Sequence, residues 1–228
     1  MVKTAVYTGS RNLYPDMVVA VKSLLINSDV EEIYLLIEDD EFPFVLPDCV
    51  KTRNVSNQQY FRKDGANMNS PFTYFAMMRA ALTFEFPDHD TILSLDVDTI
   101  ADGDVSDLWN IPLGDNYFAA SRENHRTHNG FLYTNTGVAL YNLKQLRDGK
   151  AQEVIDVLNR RRYTWVEQDV FNYLCQGRIV DMPSMYNVND WTEPTNDKRI
   201  IHFAGHKEWR MFPAYQKYKD IPFEDIRR

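Results

Sequence analysis

The stretch Ile92-Leu93-Ser94-Leu95-Asp96-Val97-Asp98-Thr99-Ile100 decides how this sequence is interpreted. Its apolar and β-branched residues are typical of a short strand that is buried on both faces. The strand ends on two carboxylates, Asp96 and Asp98, and two like charges in an apolar segment must be paired or desolvated at a cost. A hard divalent cation that prefers oxygen ligands would offset this cost. The alternative is a plain strand end followed by an acidic turn over residues 102–107.

The composition limits the class of protein. A chain of 228 residues can build one large core, and we expect a single domain over residues 1–228 with a C-terminal tail from about residue 210. Its hydrophobic content of 44% and charged content of 25% are typical of a globular protein in water. The net charge of −8 argues against general nucleic-acid binding, because that function needs a basic surface.

Several features favour a cytoplasmic location. No apolar run approaches the roughly 20 residues that cross a bilayer, and the first residues lead directly into a predicted strand without the layout of a signal peptide. Cys49 and Cys175 lie far apart in the sequence, which is typical of a reduced protein. The tail mixes aromatic and basic residues that could contact a membrane surface weakly, but its acidic residues favour a helix packed on the domain.

Strand and helix patterns alternate along the chain. The patterns predict strands over residues 3–8, 32–37, 92–96, 117–120 and 130–141, and helices from residue 15, from residues 70–71, over 143–160 and over 167–174. This alternation indicates an α/β fold whose first half is mainly parallel. Ligands of such sheets bind beyond the carboxyl ends of the strands, where residues 8–12 and 96–98 would both lie.

Three further segments carry polar residues in suggestive positions. Residues 133–138 form a predicted strand with a glycine that either lets another group approach the backbone or marks a bulge. Residues 166–170 place three polar side chains at a helix start, where capping alone would also explain them. Residues 200–207 form a strand that runs into a turn and carry His202, which is either a metal ligand or an ordinary polar residue.

In this order and spacing the segments resemble glycosyltransferase family 8, the group of glycogenin and of bacterial lipopolysaccharide galactosyl- and glucosyltransferases. The resemblance covers about residues 4–209 and rests on Asp-x-Asp with Leu108-Trp109, and on residues 135–138, 167–169 and 202–205. It implies an α/β, GT-A nucleotide-sugar transferase fold with a mixed, mainly parallel central sheet flanked by helices. The implied activity is a metal-dependent, retaining transfer of a hexose from UDP-glucose or UDP-galactose.

The resemblance also implies a role for each matching residue. Asp96, Asp98 and His202 would hold the metal, and Mn²⁺ is favoured over Mg²⁺ because imidazole is a poorer partner for Mg²⁺. The expected catalytic residues are Gln168, Asp98 and Arg79. The expected binding residues for the nucleotide sugar are Thr8, Ser10, Asn12, Tyr14, Arg79, Asp96, Val97, Asp98, Asn135, Thr136, Glu167, Gln168, His202, Gly205 and Lys207.

Within that set, Tyr14 would stack on uracil, Arg79 would contact the donor, and Gln168 would lie near the anomeric carbon. Retention by double displacement needs a carboxylate nucleophile close to the sugar. Glu167 and Asp169 are the only carboxylates expected there, and an amide is a poor nucleophile. We therefore favour substitution on the same face of the sugar, with the leaving phosphate helping to deprotonate the acceptor hydroxyl.

Two departures from the family pattern leave the donor sugar open. The segment after Gly205 usually reads x-x-Lys-Pro-Trp, but here it is His206-Lys207-Glu208-Trp209, one residue shorter. Glu167 stands where aspartate is common. One alternative function is a nucleotidyltransferase that forms sugar nucleotides, although residues 9–12 are a poor version of the glycine-rich loop of those enzymes. A second alternative is a homologue that only binds.

The acceptor is left open by the sequence. A glycan, a lipid-linked sugar and a protein hydroxyl all remain candidates. We expect the loops at residues 60–70, 124–129 and 186–196 to select among them. The last of these loops contains Trp191, which suggests either a surface for stacking sugars or a packed turn.

Overall fold

The strands of this protein form one mixed sheet and a small separate ladder. The computed structural model describes residues 2–128 and 130–226. The strands of this part are β1 (Thr4–Thr8), β2 (Glu32–Ile37), β3 (Val50–Asn54), β4 (Thr91–Leu95), β5 (Thr99–Ala101), β6 (Phe118–His128), β7 (Phe131–Asn142), β8 (Ile179–Asp181) and β9 (Ile200–His202). The α-helices are α1 (Tyr14–Ile26), α2 (Tyr74–Met77), α3 (Leu82–Glu85), α4 (Leu143–Leu146), α5 (Lys150–Arg160), α6 (Val166–Leu174) and α7 (Pro213–Lys219).

The seven-stranded sheet has the order β3-β2-β1-β4-β7-β6-β8. Its first four strands are parallel, β7 is antiparallel to both of its neighbours, and β8 is parallel to β6. The predicted mixed, mainly parallel sheet is therefore confirmed. Tyr7 of β1 lies opposite Leu95 of β4, so Thr8 and Asp96 meet at one edge of the sheet. Strands β5 and β9 form the separate antiparallel ladder.

Helices cover both faces of the sheet because alternate strand residues point to opposite faces and both sets are apolar. Ala5 and Tyr7 pack into the core on the α1 side, whereas Val6 packs into the core beneath α2, α5 and α6. Helix α1 is buried along most of its length because β5 and α7 also contact it. This two-sided burial explains why the central strands are continuous apolar runs.

Some element boundaries differ from the sequence expectation. The helix expected from residues 70–71 begins instead at Tyr74, because the Ser70 hydroxyl donates to the carbonyl of Phe72 and the segment forms a turn. The helix expected over residues 143–160 is divided into α4 and α5. Gly149 lies between them as the N-cap of α5, and its φ of 110° is a left-handed conformation that interrupts the helical path.

Two strands are longer or additional. Strand β6 extends to residue 128, well beyond the expected end at residue 120, because it pairs with β7 across a bulged hairpin. Strand β3 has no counterpart in the sequence prediction. Its sequence, VKTRN, is largely polar because it lies at the edge of the sheet and only its first residue is buried.

The C-terminal tail packs on the domain, as its acidic residues suggested. Asp16 of α1 is 2% exposed, and it accepts hydrogen bonds from Arg210 at 2.8 and 2.5 Å and from the Tyr215 hydroxyl at 2.8 Å. On α7, Lys217 donates to Asp102 at 2.7 Å. The tail therefore fastens α1 to the segment that follows β5.

Candidate active site

The turn between β4 and β5 carries the two aspartates of the Asp-x-Asp sequence. Asp96 follows β4 directly, and its backbone N–H donates to the carbonyl of Gly137 on β7 at 2.7 Å. Asp98 precedes β5, whose ladder with β9 pairs Thr99 with His202. Strand β9 therefore brings the histidine to the side of this turn.

The three side chains expected to hold a metal lie together. The Nε2 atom of His202 is 3.5 Å from Oδ2 of Asp96 and 3.5 Å from Oδ1 of Asp98. Each of the three residues offers one ligand atom, and these atoms all lie within 4.8 Å of one another. Two carboxylates and one imidazole at this separation form a group that could hold a divalent cation.

A second layer of hydrogen bonds fixes the histidine. Its Nδ1 lies 2.9 Å from Oδ1 of Asn187, and the amide nitrogen of Asn187 donates to the carbonyl and to Oδ1 of Asn135 at 3.3 and 3.0 Å. With the amide oxygen turned to the ring, Nδ1 donates the hydrogen bond, and Nε2 faces the two aspartates. This is the arrangement that orients a histidine for metal ligation.

Gly137 makes room for the cluster. A Cβ atom at this position would lie 2.1 Å from Cε1 of His202 and 2.8 Å from Oδ2 of Asp96, distances that no real Cβ contact shows. Both alternatives for this glycine are confirmed, because other groups approach its backbone closely and the pairing of β6 with β7 shifts register here, from Ala120 opposite Ala139 to Ser121 opposite Asn135. The approaching groups are the ring and the carboxylate themselves.

The charges of the cluster are balanced by neighbouring cations. Burial disfavours the charged form of Asp98, but the facing His202 and the nearby Arg79 hold the pKa of this carboxyl below its usual range. Asp98 is therefore ionised at neutral pH and presents the negative charge that a cation requires.

Arg79 connects the cluster to α6. Its side chain is 5% exposed, and its two terminal nitrogens donate to Oδ1 of Asp96 and to Oε1 of Glu167. Glu167 is itself buried, which raises the pKa of its carboxyl, while the Arg79 charge opposes that rise. The Nε of Arg79 is buried with no hydrogen-bond partner among the described residues. The guanidinium thus holds one carboxylate from each side of the site.

Helix α6 begins with a strained residue. Val166 has a φ of +45°, a left-handed conformation that a β-branched side chain rarely adopts, and it is fully buried. It lies between Trp165, which is 42% exposed, and Glu167, which is 3% exposed. The left-handed turn at Val166 therefore allows Glu167 to be buried at the site while Trp165 stays at the surface.

A cavity of about 460 Å³ opens beside the cluster. It is lined by Phe72, Ala76, Arg79, Asp96, Asp98, Glu123, Asn135, Trp165, Glu167, Gln168, Trp191, His202, Ala204 and Gly205. Its size suits a small ligand or part of one. The cavity brings together the Asp-x-Asp turn, the start of α6 and the turn after β9, which are far apart in the sequence.

Gln168 is fixed at the floor of the cavity. Its Oε1 accepts from the backbone N–H and the hydroxyl of Thr136 at 2.9 and 3.3 Å, and its Nε2 donates to the Tyr133 hydroxyl and to Glu123 at 3.1 and 3.4 Å. Asn135 also donates to Glu123, at 3.1 Å. The amide of Gln168 is thus oriented by its neighbours before any ligand arrives.

Asp169 is turned away from the cavity. It accepts from the Tyr133 hydroxyl at 2.6 Å and from the backbone N–H of Trp165 at 2.9 Å, and it is not among the residues that line the cavity. Glu123 does line it and is 3% exposed. The expectation that Glu167 and Asp169 would be the only carboxylates near the sugar position is therefore wrong, because β6 extends far enough to add Glu123.

The structure does not offer Tyr14 as a surface for stacking a base. Its ring is 1% exposed and packs 4.9 Å from the ring of Phe42, and its hydroxyl donates to Asp39 at 2.9 Å and accepts from the N–H of Glu38 at 3.1 Å. Burial and the hydrogen bond to Asp39 raise the pKa of Tyr14 to about 12, although the N–H donated by Glu38 opposes the rise. The ring therefore has no open face, which corrects the expected role.

Residues 8–12 lie at the edge of the sheet shared with Asp96 but outside the cavity. Thr8 donates to the carbonyl of Phe75 at 3.0 Å, and Ser10 donates to Asn12 at 2.6 Å. Val97, between the two aspartates, is 6% exposed and packs near Gly9, so its side chain belongs to the core.

Of the remaining expected binding residues, Gly205 lines the cavity, with a φ of 79°. Lys207 is exposed and is not part of the lining, and Thr136 reaches the cavity only through Gln168. The loop expected at residues 124–129 ends at Asn129, which lies outside the described residues, and the part before it belongs to β6.

Several lining residues were missed from the sequence. The sequence did not single out Phe72, Ala76, Glu123 or Trp165 as site residues, and Ala204 entered only as part of the family segment 202–205. Apart from Glu123, each lies within a few residues of a motif or a helix start, so the neighbourhood of the motifs was the available clue. Asn187 could not be found in this way, because only the fold brings it to the histidine.

The sheet order, the Asp-x-Asp turn and the adjoining cavity define the GT-A class of glycosyltransferases, and comparison with solved structures agrees. The glycosyltransferase GlyE of Streptococcus pneumoniae superposes with a TM-score of 0.74 at 23% identity, over 98% of this chain and 62% of that one. The galactosyltransferase LgtC, solved with donor and acceptor sugar analogs, superposes with a TM-score of 0.71 at 20% identity, over 97% of this chain and 98% of LgtC.

The chain belongs to glycosyl transferase family 8, whose sequence profile matches residues 5–211. Among curated proteins it is similar to GlyE, with 26% identity over 81% of this chain and 47% of GlyE. It is also similar to the lipopolysaccharide 1,2-glucosyltransferase of Escherichia coli, with 27% identity over 65% of this chain and 52% of that enzyme. The chain thus spans about half the length of these curated relatives. No helix of the described residues has the length and apolar content to cross a membrane.

Proposed function

We propose that this glycosyltransferase is metal-dependent and moves a hexose, from UDP-glucose or UDP-galactose, to an acceptor hydroxyl with retention of the anomeric configuration. The observation that carries the proposal is the cluster of Asp96, Asp98 and His202 at the wall of the 460 Å³ cavity. A cavity with a metal-binding wall and a floor of fixed amides suits a sugar joined to a diphosphate.

The residues of the cluster fit a divalent cation. The mixed oxygen and imidazole set favours Mn²⁺, with Mg²⁺ as the alternative, and Asn187 orients the histidine as second-layer residues of metal sites do. A bound cation would neutralise charge on the diphosphate and stabilise it as the leaving group. Asp96 and Asp98 supply the negative charge that makes such a cation stable there.

Around the metal, each residue of the chain has a proposed task. Arg79 pairs with Asp96 and Glu167 and so holds both carboxylates in one arrangement beside the donor site. Gln168 and Asn135 line the cavity where the sugar would lie. Thr8, Ser10 and Asn12, at the neighbouring edge of the sheet, would bind the nucleoside. Lys207, in the turn after Gly205, would approach the diphosphate.

Same-face substitution remains the proposed route to retention. Gln168 is held in four hydrogen bonds and is a poor nucleophile. Asp169 is bound to Tyr133 and Trp165, and Glu167 is paired with Arg79. Catalysis would then rest on positioning and on electrostatic stabilisation of the leaving group. Glu123 is the carboxylate that a double-displacement route would have to use.

We also propose a cytoplasmic location. Both cysteines are free thiols, as expected in a reducing compartment.

The test is release of UDP from a panel of UDP-sugars with and without Mn²⁺ and with no acceptor added. Slow hydrolysis of one donor that requires Mn²⁺ supports the proposal and names the sugar. The Asp98→Asn variant should lose this hydrolysis, and full Mn²⁺-stimulated turnover in that variant would refute the metal role. NMR of the transferred sugar gives the anomeric configuration.

The same assay separates the alternatives. A nucleotidyltransferase would consume a nucleoside triphosphate and a sugar phosphate and release pyrophosphate. A binding-only homologue would bind UDP with Mn²⁺ but release nothing with any donor or acceptor.

A further inference from the structure

Three aromatic side chains surround the mouth of the cavity. Phe72, Trp165 and Trp191 all line it, and they remain 39%, 42% and 51% exposed. The rings of Phe72 and Trp165 lie 5.7 Å apart at 49°. Large aromatic rings gathered in contact with water at one cavity are typical of a binding surface rather than of a core. We refer to these three residues as the aromatic mouth.

The aromatic mouth is held in place by backbone contacts. The N–H of Trp191 donates to Oδ1 of Asn189 at 2.9 Å, and its carbonyl accepts from the N–H of Asn124 on β6 at 2.8 Å. The N–H of Trp165 donates to Asp169 at 2.9 Å. Rings on a fixed backbone can bind a ligand with little loss of conformational entropy.

The charge around the cavity does not suit an anionic acceptor. Arg79 is the only lysine or arginine that lines it in the described part of the chain, and both of its terminal nitrogens are already paired with carboxylates. Asp98 and Glu123 add negative charge to the lining. A phosphate on the acceptor would therefore meet repulsion at the same cavity.

The sheet offers no edge to an extended polypeptide at this cavity. Glu123 lies on β6 and Asn135 on β7, and β7 is paired with both β4 and β6. Strand β6 is paired with β7 and β8, and Glu123 also pairs with Thr192. β8 pairs only with residues 118–120 of β6, but the Glu123–Thr192 bridge and the bond from the Asn124 N–H to the Trp191 carbonyl occupy the outer side of β6 beside the cavity, so an added strand finds no free main chain at Glu123.

We propose that the acceptor is a neutral glycan whose terminal pyranose stacks in the aromatic mouth. A pyranose has apolar C–H faces and a polar rim, so it can pack on Phe72, Trp165 and Trp191 while its hydroxyls face the buried carboxylate and amide groups of the cavity. This proposal rests on the proposed function, because it names the acceptor class of the same site.

Saccharide binding tests the proposal without turnover. The protein is titrated with lactose, maltose, cellobiose and maltotriose, with UDP and Mn²⁺ present, while tryptophan emission and saturation-transfer NMR are recorded. Trp109 and Trp209 are buried, at 9% and 7% exposed, so a change in emission reports on the two exposed tryptophans. At least one saccharide should bind and should accept sugar from the donor.

Variants locate the binding. Trp191→Ala and Trp165→Ala should each weaken saccharide binding about fivefold to tenfold, a larger loss than for UDP. Phe84→Ala is the matched control, since Phe84 is an exposed ring, at 43%, that does not line the cavity. Circular dichroism verifies that the variants fold.

The outcomes are distinct. Saccharide binding that is weakened by Trp191→Ala and not by Phe84→Ala supports the proposal. Binding of UDP with no binding of any saccharide overturns the acceptor proposal and leaves the proposed function intact. Transfer only to a tyrosine peptide, or only to a polyprenyl-diphosphate sugar in vesicles, has the same two consequences. Saccharide binding without any UDP binding overturns the proposed function instead.

Discussion

Replacing Gly137 with alanine should damage the metal cluster while leaving the rest of the fold intact. The added Cβ would lie 2.1 Å from Cε1 of His202, which is 1.3 Å short of the 3.4 Å at which ordinary contact begins. It would also press on Asp96 from 2.8 Å. Because the ring is fixed between Gly137 and Asn187, it must move by about 1 Å or the β7 backbone must shift.

The size of the effect follows from that displacement. Overpacking of this kind costs about 1–3 kcal/mol of unfolding free energy. A misplacement of about 1 Å at a reactive site costs about 100-fold in rate. We expect Gly137→Ala to bind Mn²⁺ at least tenfold more weakly, about 1.4 kcal/mol, and to lose about 100-fold in donor hydrolysis. Isothermal titration calorimetry and the UDP-release assay measure the two quantities.

Gly103→Ala is the matched control. A Cβ at Gly103 would find its nearest neighbour, Cα of Arg199, at 3.5 Å, which is an ordinary contact. This variant should change the unfolding free energy by less than about 0.5 kcal/mol and leave Mn²⁺ affinity unaltered. Mn²⁺ affinity within twofold of the parent protein in Gly137→Ala would refute the reasoning, because the cluster would then tolerate a displacement that the packing forbids.

Three more outcomes are expected. Asn187→Ala should weaken Mn²⁺ binding about tenfold to 100-fold, since His202 loses the acceptor that fixes its proton on Nδ1; calorimetry measures it. Arg210→Ala should lower the unfolding free energy by about 1–3 kcal/mol in urea, because Asp16 is 2% exposed and loses two charged hydrogen bonds. Burial raises the pKa of Cys175 to about 12, so its thiol stays protonated at pH 8 and should resist iodoacetamide, as mass spectrometry would detect.

Two of these outcomes have a control within the chain. Arg160→Ala removes a surface arginine that lies 3.9 Å from Asp156 and is 79% exposed, so it should leave stability within about 0.5 kcal/mol. Cys49 is only partly buried and should be alkylated before Cys175 in the folded protein. Equal labelling of the two thiols, an unaltered urea midpoint in Arg210→Ala, or parental Mn²⁺ affinity in Asn187→Ala would each contradict the corresponding argument.

The cluster of Asp96, Asp98 and His202 could be predicted from the sequence because each residue lies in a recognisable local pattern. Asp96 and Asp98 end an apolar strand, and His202 lies in a strand that runs into a glycine turn. The family resemblance supplied the pairing between them. Gly137 was singled out by its position in a polar interruption of a strand, and the packing of the cluster explains why no side chain fits there.

The surroundings of Tyr14 and the presence of Glu123 at the cavity were predicted less well than the cluster. Tyr14 follows a polar turn at the end of β1, which suggested a base-stacking ring, but no local pattern reveals that Asp39 and Phe42 enclose it. Glu123 was missed for a related reason. Strand β6 was expected to end at residue 120, and its continuation depends on pairing with β7 across a bulge, which is a tertiary constraint.

The ladder of β5 and β9 determines when the candidate metal site can form. Asp96 and Asp98 are in the first half of the chain, whereas His202 and its strand come about a hundred residues later. During synthesis the chain therefore contains Asp96 and Asp98 for some time before His202, the third candidate ligand, has been added. Tight capture of a cation must wait until β9 has been made and has paired with β5. During refolding, Mn²⁺ affinity should thus appear only when β9 has paired with β5, so it reports on the formation of this ladder.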